Sequence, residues 1–194
     1  MGDKPHLSAS ALTMLFKCGE QYRRRYVLGE KIPPGISAHK GRGVHLGAEH
    51  DLKQKANTGA LLPLEAVQDL ARDGVMAGVS EGVLWTPDDE AEGTERLVAD
   101  AIDGAVRLAG VHHAELAPKI EPIDAEHVER RWDLALEGFP LNLMGYYDVC
   151  EATSVRDLKT KAKAPSASAA ETSEQLTLYS LARKVETGTI PGVA

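Results

Sequence analysis

The chain has 194 residues, 43% of them hydrophobic and 5% aromatic, with a net charge of −7. That length suits one domain with a substantial core, and the ordinary apolar fraction excludes a disordered chain. Two cysteines give no disulfide framework, no basic-then-apolar run follows Met1, and no apolar run spans a bilayer, which together point to a reducing cytoplasm without a membrane role.

Ser8 or Ser10 can cap a first helix running to about Leu28, with Gly29 at its end. Leu12, Leu15, Phe16, Tyr22 and Tyr26 recur along it at helical spacing, and its aromatics read as core more than as base-stacking groups. Arg23, Arg24 and Arg25 form either a solvated face or a basic patch. After the Ile32–Gly35 loop, a second helix starts near Gly41 and carries His45 in its early turns. A third runs from about Leu64 to Gly78, and Pro87 with the acids after it opens a fourth. His112 and His113 are adjacent, so on a helix they point apart, and the pair reads as surface.

A sheet begins near Glu126 and runs through Trp132 to Leu136. Glu137-Gly138-Phe139-Pro140 turns the chain, Leu141 to Val149 returns, and Val155 to Lys159 forms a third strand. Alternation and turn signals predict an antiparallel meander of three strands. A connection over Ala164–Ser168 leads to a last helix from about Ala170 to Val185, closed by Gly188. The fold class is α+β, close to an α/β sandwich, with a mainly helical part over 7–120 and a catalytic sheet and helix over 125–187, in one domain over 1–194.

The chemistry concentrates at Gly145-Tyr146-Tyr147-Asp148 and Asp157-Leu158-Lys159. On a strand, Asp157 and Lys159 share a face, and an antiparallel neighbour brings Asp148 alongside. Two acids and a lysine on one face can hold a hard divalent cation and act on phosphodiesters. Glu129, on the strand before, either faces that cation through a water or forms an outward salt bridge. Gln175 and Tyr179 are four apart and share a helix face.

Four blocks in order resemble the RecB-like exonuclease branch of the PD-(D/E)XK nuclease superfamily. They are Leu7-Ser8-Ala9-Ser10 leading to Phe16-Lys17-Cys18 and Tyr22 to Tyr26; Gly41-Arg42-Gly43-Val44-His45; Gly145 to Asp148 followed by Asp157-Leu158-Lys159-Thr160; and Gln175-Leu176-Thr177-Leu178-Tyr179. The resemblance covers about residues 7 to 187 and is weak between about 55 and 120. It implies a restriction-endonuclease-like core and metal-dependent cleavage of DNA, with Mg2+ or Mn2+ as cofactor, in the cytoplasm of a bacterial or phage-infected cell. Asp148 and Asp157 take the place of the metal-ligating carboxylates. His45 and the carbonyl of Leu158 take the place of further ligands, and Lys159 that of the group beside the attacking water. Gln175, Tyr179, Lys161 and Arg24 fall where nucleic acid is touched or the site supported. A helicase or recombinase partner is implied for the repair and recombination members.

The resemblance extends to the CRISPR-associated adaptation nucleases, some of which bind an iron–sulfur cluster. Such a cluster takes four thiolates, and Cys18 and Cys150 supply two, so none is expected in this chain. The family's core places a further strand after the last helix, and the sequence reads as stopping on the approach to it. A catalytically inactive nucleic-acid-binding module of the same fold is the competing reading. The acid, acid and lysine weigh against it, since a binding module has no need of buried like charges.

Overall fold

The computed structural model describes residues 6–160, 169–170 and 172–193. In chain order these form β1 (His6–Ser8), α1 (Ala9–Lys17), α2 (Gly19–Tyr22), a π-helical turn (Arg23–Val27), α3 (Ile36–Thr58), α4 (Leu64–Glu81), α5 (Pro87–Glu92), α6 (Thr94–Val111), a second π-helical turn (His112–Leu116), β2 (Val128–Leu134), β3 (Asn142–Cys150), β4 (Ser154–Arg156), α7 (Glu174–Thr187) and β5 (Gly192–Val193). The class is α+β. The described residues gather into two compact units: 6–31, 129–157 and those from 169 onward make one, 32–128 and 158–160 the other.

The first unit is built on a mixed sheet. β1 runs parallel to β3 with His6 opposite Asn142, β3 is antiparallel to β4 with Val149 opposite Arg156, β4 is parallel to β5, and β2 also pairs with β3. This differs from the three-stranded antiparallel meander predicted from alternation. β1 is three residues long, too short for a period-two signal, and β5 supplies a pairing beyond α7 where the sequence suggests a missing strand. β4 closes at Arg156, so Asp157 and Lys159 lie past the strand and the shared-face argument does not apply to them.

One aromatic cluster centres this unit. The Trp132, Tyr147 and Tyr179 rings lie 5.3–6.2 Å apart between centroids, packed with Leu7, Leu143 and Leu176. Gly145 permits it: a Cβ there would stand 2.6 Å from Trp132 Cζ2. α7 buries Leu176, Tyr179, Ala182 and Arg183 on one helical face. It starts later than predicted, because the Ser173 hydroxyl accepts the Leu176 N–H and fixes the N-terminus there. The single first helix predicted to Leu28 is instead interrupted at Cys18, whose φ of −160° is extended.

The second unit packs α3, α4 and α6 around Val44, Val67, Ala71, Val75, Ala101, Ala105 and Ala109. α3 begins at Ile36, a full turn before the predicted start, so Gly41 and Gly43 sit inside the helix. Their neighbours show why glycine is used: a Cβ on Gly43 would meet the Ala71 carbonyl oxygen at 2.4 Å, and one on Gly47 the Val67 carbonyl oxygen at 2.9 Å. The predicted fourth helix is two helices, because Gly93 at φ +101° breaks the run between α5 and α6. Thr86 and Asp89 close a capping box on α5. No described helix is long and apolar enough to cross a membrane.

Candidate functional site

In the sheet unit Glu129 lies on β2, Asp148 on β3 and Asp157 just past the end of β4. The register pairs Val149 with Arg156 and Cys150 with Val155 and ends there, so Asp148 and Asp157 each adjoin the last paired residues. Asp148 is buried, with 7% of its surface exposed. Glu129 has a carboxylate oxygen within 4.8 Å of one on Asp148. Its φ is +53°, and among the described residues no other non-glycine has a positive φ. A left-handed backbone costs a glutamate about 1–2 kcal/mol. Such strain persists where the surroundings fix it, often at functional sites. Nothing in the sequence signals this φ, which is why Glu129 reads there as equally fit for an outward salt bridge.

Tyr179 senses the charge of these carboxylates. Burial raises its phenol above the ordinary value, and the negative charges of Asp148, Asp157 and Glu129 add to the effect. The Gln175 amide donates to the Tyr179 hydroxyl at 2.6 Å, which works the other way. The hydroxyl therefore stays protonated at neutral pH and keeps its own hydrogen to donate. With 3% of its surface exposed, Tyr179 has no open face on which a base could stack. Tyr179→Phe keeps the ring and leaves the Gln175 amide without this acceptor. We expect a loss of about 0.5–1.5 kcal/mol in urea unfolding. An unchanged midpoint would show that the bond carries no net stability.

In the helical unit, His45 Nε2 lies 2.8 Å from the carbonyl oxygen of Leu158. A carbonyl only accepts, so Nε2 carries the hydrogen in this bond. Leu158 and His45, two of the ligands the resemblance implies, are thus joined to each other. Next to Leu158, Lys159 is exposed, and a Cβ on Gly41 would lie 3.1 Å from the Thr160 hydroxyl.

The His112–His113 pair corrects a sequence expectation. His112 is buried, and neither ring nitrogen has a hydrogen-bond partner. His113 Nδ1 bonds at 2.8 Å to the carboxylate of Asp51, which is fully buried and also accepts the Leu62 N–H at 2.9 Å. The π-helical turn that starts at His112 widens the helix and changes the directions on which a surface assignment rests. Burial pulls His112 below the ordinary imidazole value, with His45 and His113 adding to this and Asp51 opposing it. A depressed histidine favours the neutral folded form. Its contribution is therefore complete above the unfolded value near 6.5 and is lost as pH falls below it. We expect His112→Leu to gain melting temperature relative to the parent as pH falls from 7.5 to 5. A pH-independent difference would refute this.

Arg24 is exposed and bonds through Nε to Glu20 at 3.0 Å. Lys161 lies outside the described residues.

The model of the PD-(D/E)XK nuclease superfamily matches residues 6–192. No curated protein and no solved structure matches the chain.

Proposed function

The chain belongs to the PD-(D/E)XK nuclease superfamily, and from that premise we propose that it hydrolyses DNA phosphodiesters with Mg2+ or Mn2+, as an exonuclease of the RecB-like type. The observation that carries this reading is the buried Asp148, next to the last β3–β4 pair, with a Glu129 carboxylate oxygen within 4.8 Å of it. Carboxylates this close repel one another, and a divalent cation offsets the repulsion. The donors are carboxylate oxygens, which suit Mg2+ and Mn2+; an imidazole nitrogen shifts the preference toward Mn2+.

In this reading Asp148 and Asp157 would hold the cation, with the Leu158 carbonyl and His45 as further ligands, Nε2 giving up its hydrogen on binding, and Glu129 next to them. The bound cation supplies a Lewis acid to the phosphoryl oxygen and a more acidic water. Lys159 places an ammonium beside the negative charge that develops on the phosphoryl group. Gln175 and Tyr179 orient the carboxylates by hydrogen bonding. Residues 1–194 act as one nuclease domain, in repair, recombination or phage replication, with a helicase or recombinase partner to deliver DNA ends.

The test is cleavage of linear and covalently closed DNA, single- and double-stranded, with Mg2+, Mn2+ or EDTA. Nucleotides released from linear DNA, with closed circles intact and no release in EDTA, are expected. Cleavage of closed circles would replace the exonuclease by an endonuclease. No cleavage of any substrate with either metal would sink the nuclease reading.

A further inference from the structure

The N-terminal helices present apolar and cationic side chains to solvent. Phe16 is 75% exposed, Val27 67% and Tyr26 41%. The sequence reads these aromatics as core; the break at Cys18 and the π-helical turn at Arg23–Val27 shift the helical register and leave them outside it. Tyr22 packs on the core and anchors Tyr26, whose ring centroid lies 5.2 Å away, and the Arg25 guanidinium stands 5.9 Å from the Tyr26 centroid. Beside Phe16 is an open groove of about 300 Å³ lined by Leu12, Leu178, Thr172, Thr177 and Glu174.

Charge identifies the occupant. From Phe16 to Lys31, five Lys or Arg accompany two Glu, a local charge of +3 in a chain of net −7. Arg23 and Arg24 both bond to Glu20, which they hold down at about 2. These pairs are solvent-exposed, and exposed ion pairs exchange partners at little cost. A phosphate can therefore take up either guanidinium. Aromatic faces next to arginines match a single strand, whose bases are unstacked and whose phosphates are close by. A duplex hides its base faces and cannot use Phe16 or Tyr26.

We propose that the Phe16 groove and the Tyr22–Tyr26 ring pair, with Arg23 to Arg25, form a binding track for single-stranded DNA. It rests on the nuclease reading for its biological sense, although binding is measurable without cleavage.

The test is fluorescence anisotropy of a labelled twenty-nucleotide oligo-dT and of a matched duplex, both in EDTA. Phe16→Ala and Tyr26→Ala should each weaken oligo-dT binding about 5- to 150-fold, the range for loss of one stacked base, and leave duplex binding unchanged. Tyr26→Phe keeps the ring and should bind like the parent. Arg25→Ala should flatten the salt dependence of binding by about one phosphate contact. Both aromatics are solvent-exposed, and circular dichroism checks that the variants fold. Several results would overturn the track: no oligo-dT binding by the parent, unchanged affinity in both alanine variants, or equal losses on the duplex. Self-association that disappears in Phe16→Ala with DNA affinity intact would make the surface a protein interface and also overturn it. Oligo-dT binding without metal-dependent cleavage would leave the track standing and remove the nuclease reading.

Discussion

Asp148→Asn lowers metal-dependent DNA cleavage by about 10³ or more, and Lys159→Ala lowers it by roughly 10²–10³. The two losses have different origins, and two measurements separate them. Asp148 is buried with a Glu129 carboxylate oxygen within 4.8 Å, so its neutralisation removes both a cation ligand and a like-charge repulsion. In EDTA the Asn variant should therefore melt no lower than the parent. Mn2+ should raise the melting temperature of the parent and not that of the variant. A ligand bound only to the native state adds about 2.7 kcal/mol at one hundred times its dissociation constant. Lys159 is exposed, so its loss leaves folding and the Mn2+ shift as they were. DNA affinity should change little in Lys159→Ala, because one phosphate contact among several is a small share of binding. Parental cleavage by Asp148→Asn would remove that residue from the site. Parental cleavage by Lys159→Ala would reduce the lysine to a solvated surface group.

The pairing of the two acid-bearing segments was legible because apolar alternation on either side of a turn marks a hairpin-like return, and β3 and β4 do pair antiparallel. That ladder ends at Val149 and Arg156, one residue short of Asp148 and Asp157. The strand argument for Lys159 was not sound. β4 ends at Arg156, and the Leu158 carbonyl, which a strand would pair with a neighbouring N–H, meets the His45 side chain instead. The mixed sheet was hidden for a related reason. Parallel partners of two or three residues, as in β1 and β5, carry no periodic pattern and are decided by long-range contacts.

The helical half was read correctly as helical and less well in its details. Its capping signals were local and so were visible, as with Pro87 after Thr86 and the glycines that end helices. Two features depended on tertiary packing and left no local mark. One is the buried Asp51 that bonds His113, sixty-two residues later. The other is the π-helical turn that carries His112 inward. The glycines near His45 suggest the start of a helix, whereas their work is packing inside one.

That packing makes the second large effect. Gly43→Ala should destabilise the protein by roughly 1–3 kcal/mol, although alanine is the better helix former. Propensity alone would favour alanine by about 0.8–1.0 kcal/mol. Against that gain, the new Cβ would stand 2.4 Å from the Ala71 carbonyl oxygen and 2.7 Å from Val75 Cγ2. The first neighbour is backbone of α4 and cannot rotate away, and Ala71 and Val75 are fully buried, so α3 and α4 must separate. Gly74 faces Gly43 across the same crossing, with a Cβ on Gly74 only 3.0 Å from the Gly43 Cα. Gly104 provides the contrast. It too lies inside a helix, α6, but its nearest neighbour is Lys40 Cδ at 3.1 Å, on a flexible side chain. Gly104→Ala should therefore keep most of the propensity gain and raise stability by up to about 1 kcal/mol. Urea unfolding of both variants against the parent decides the matter through the signs of the two changes. If Gly43→Ala were stabilised as much as Gly104→Ala, α3 and α4 would not cross at the close distance that these glycines allow.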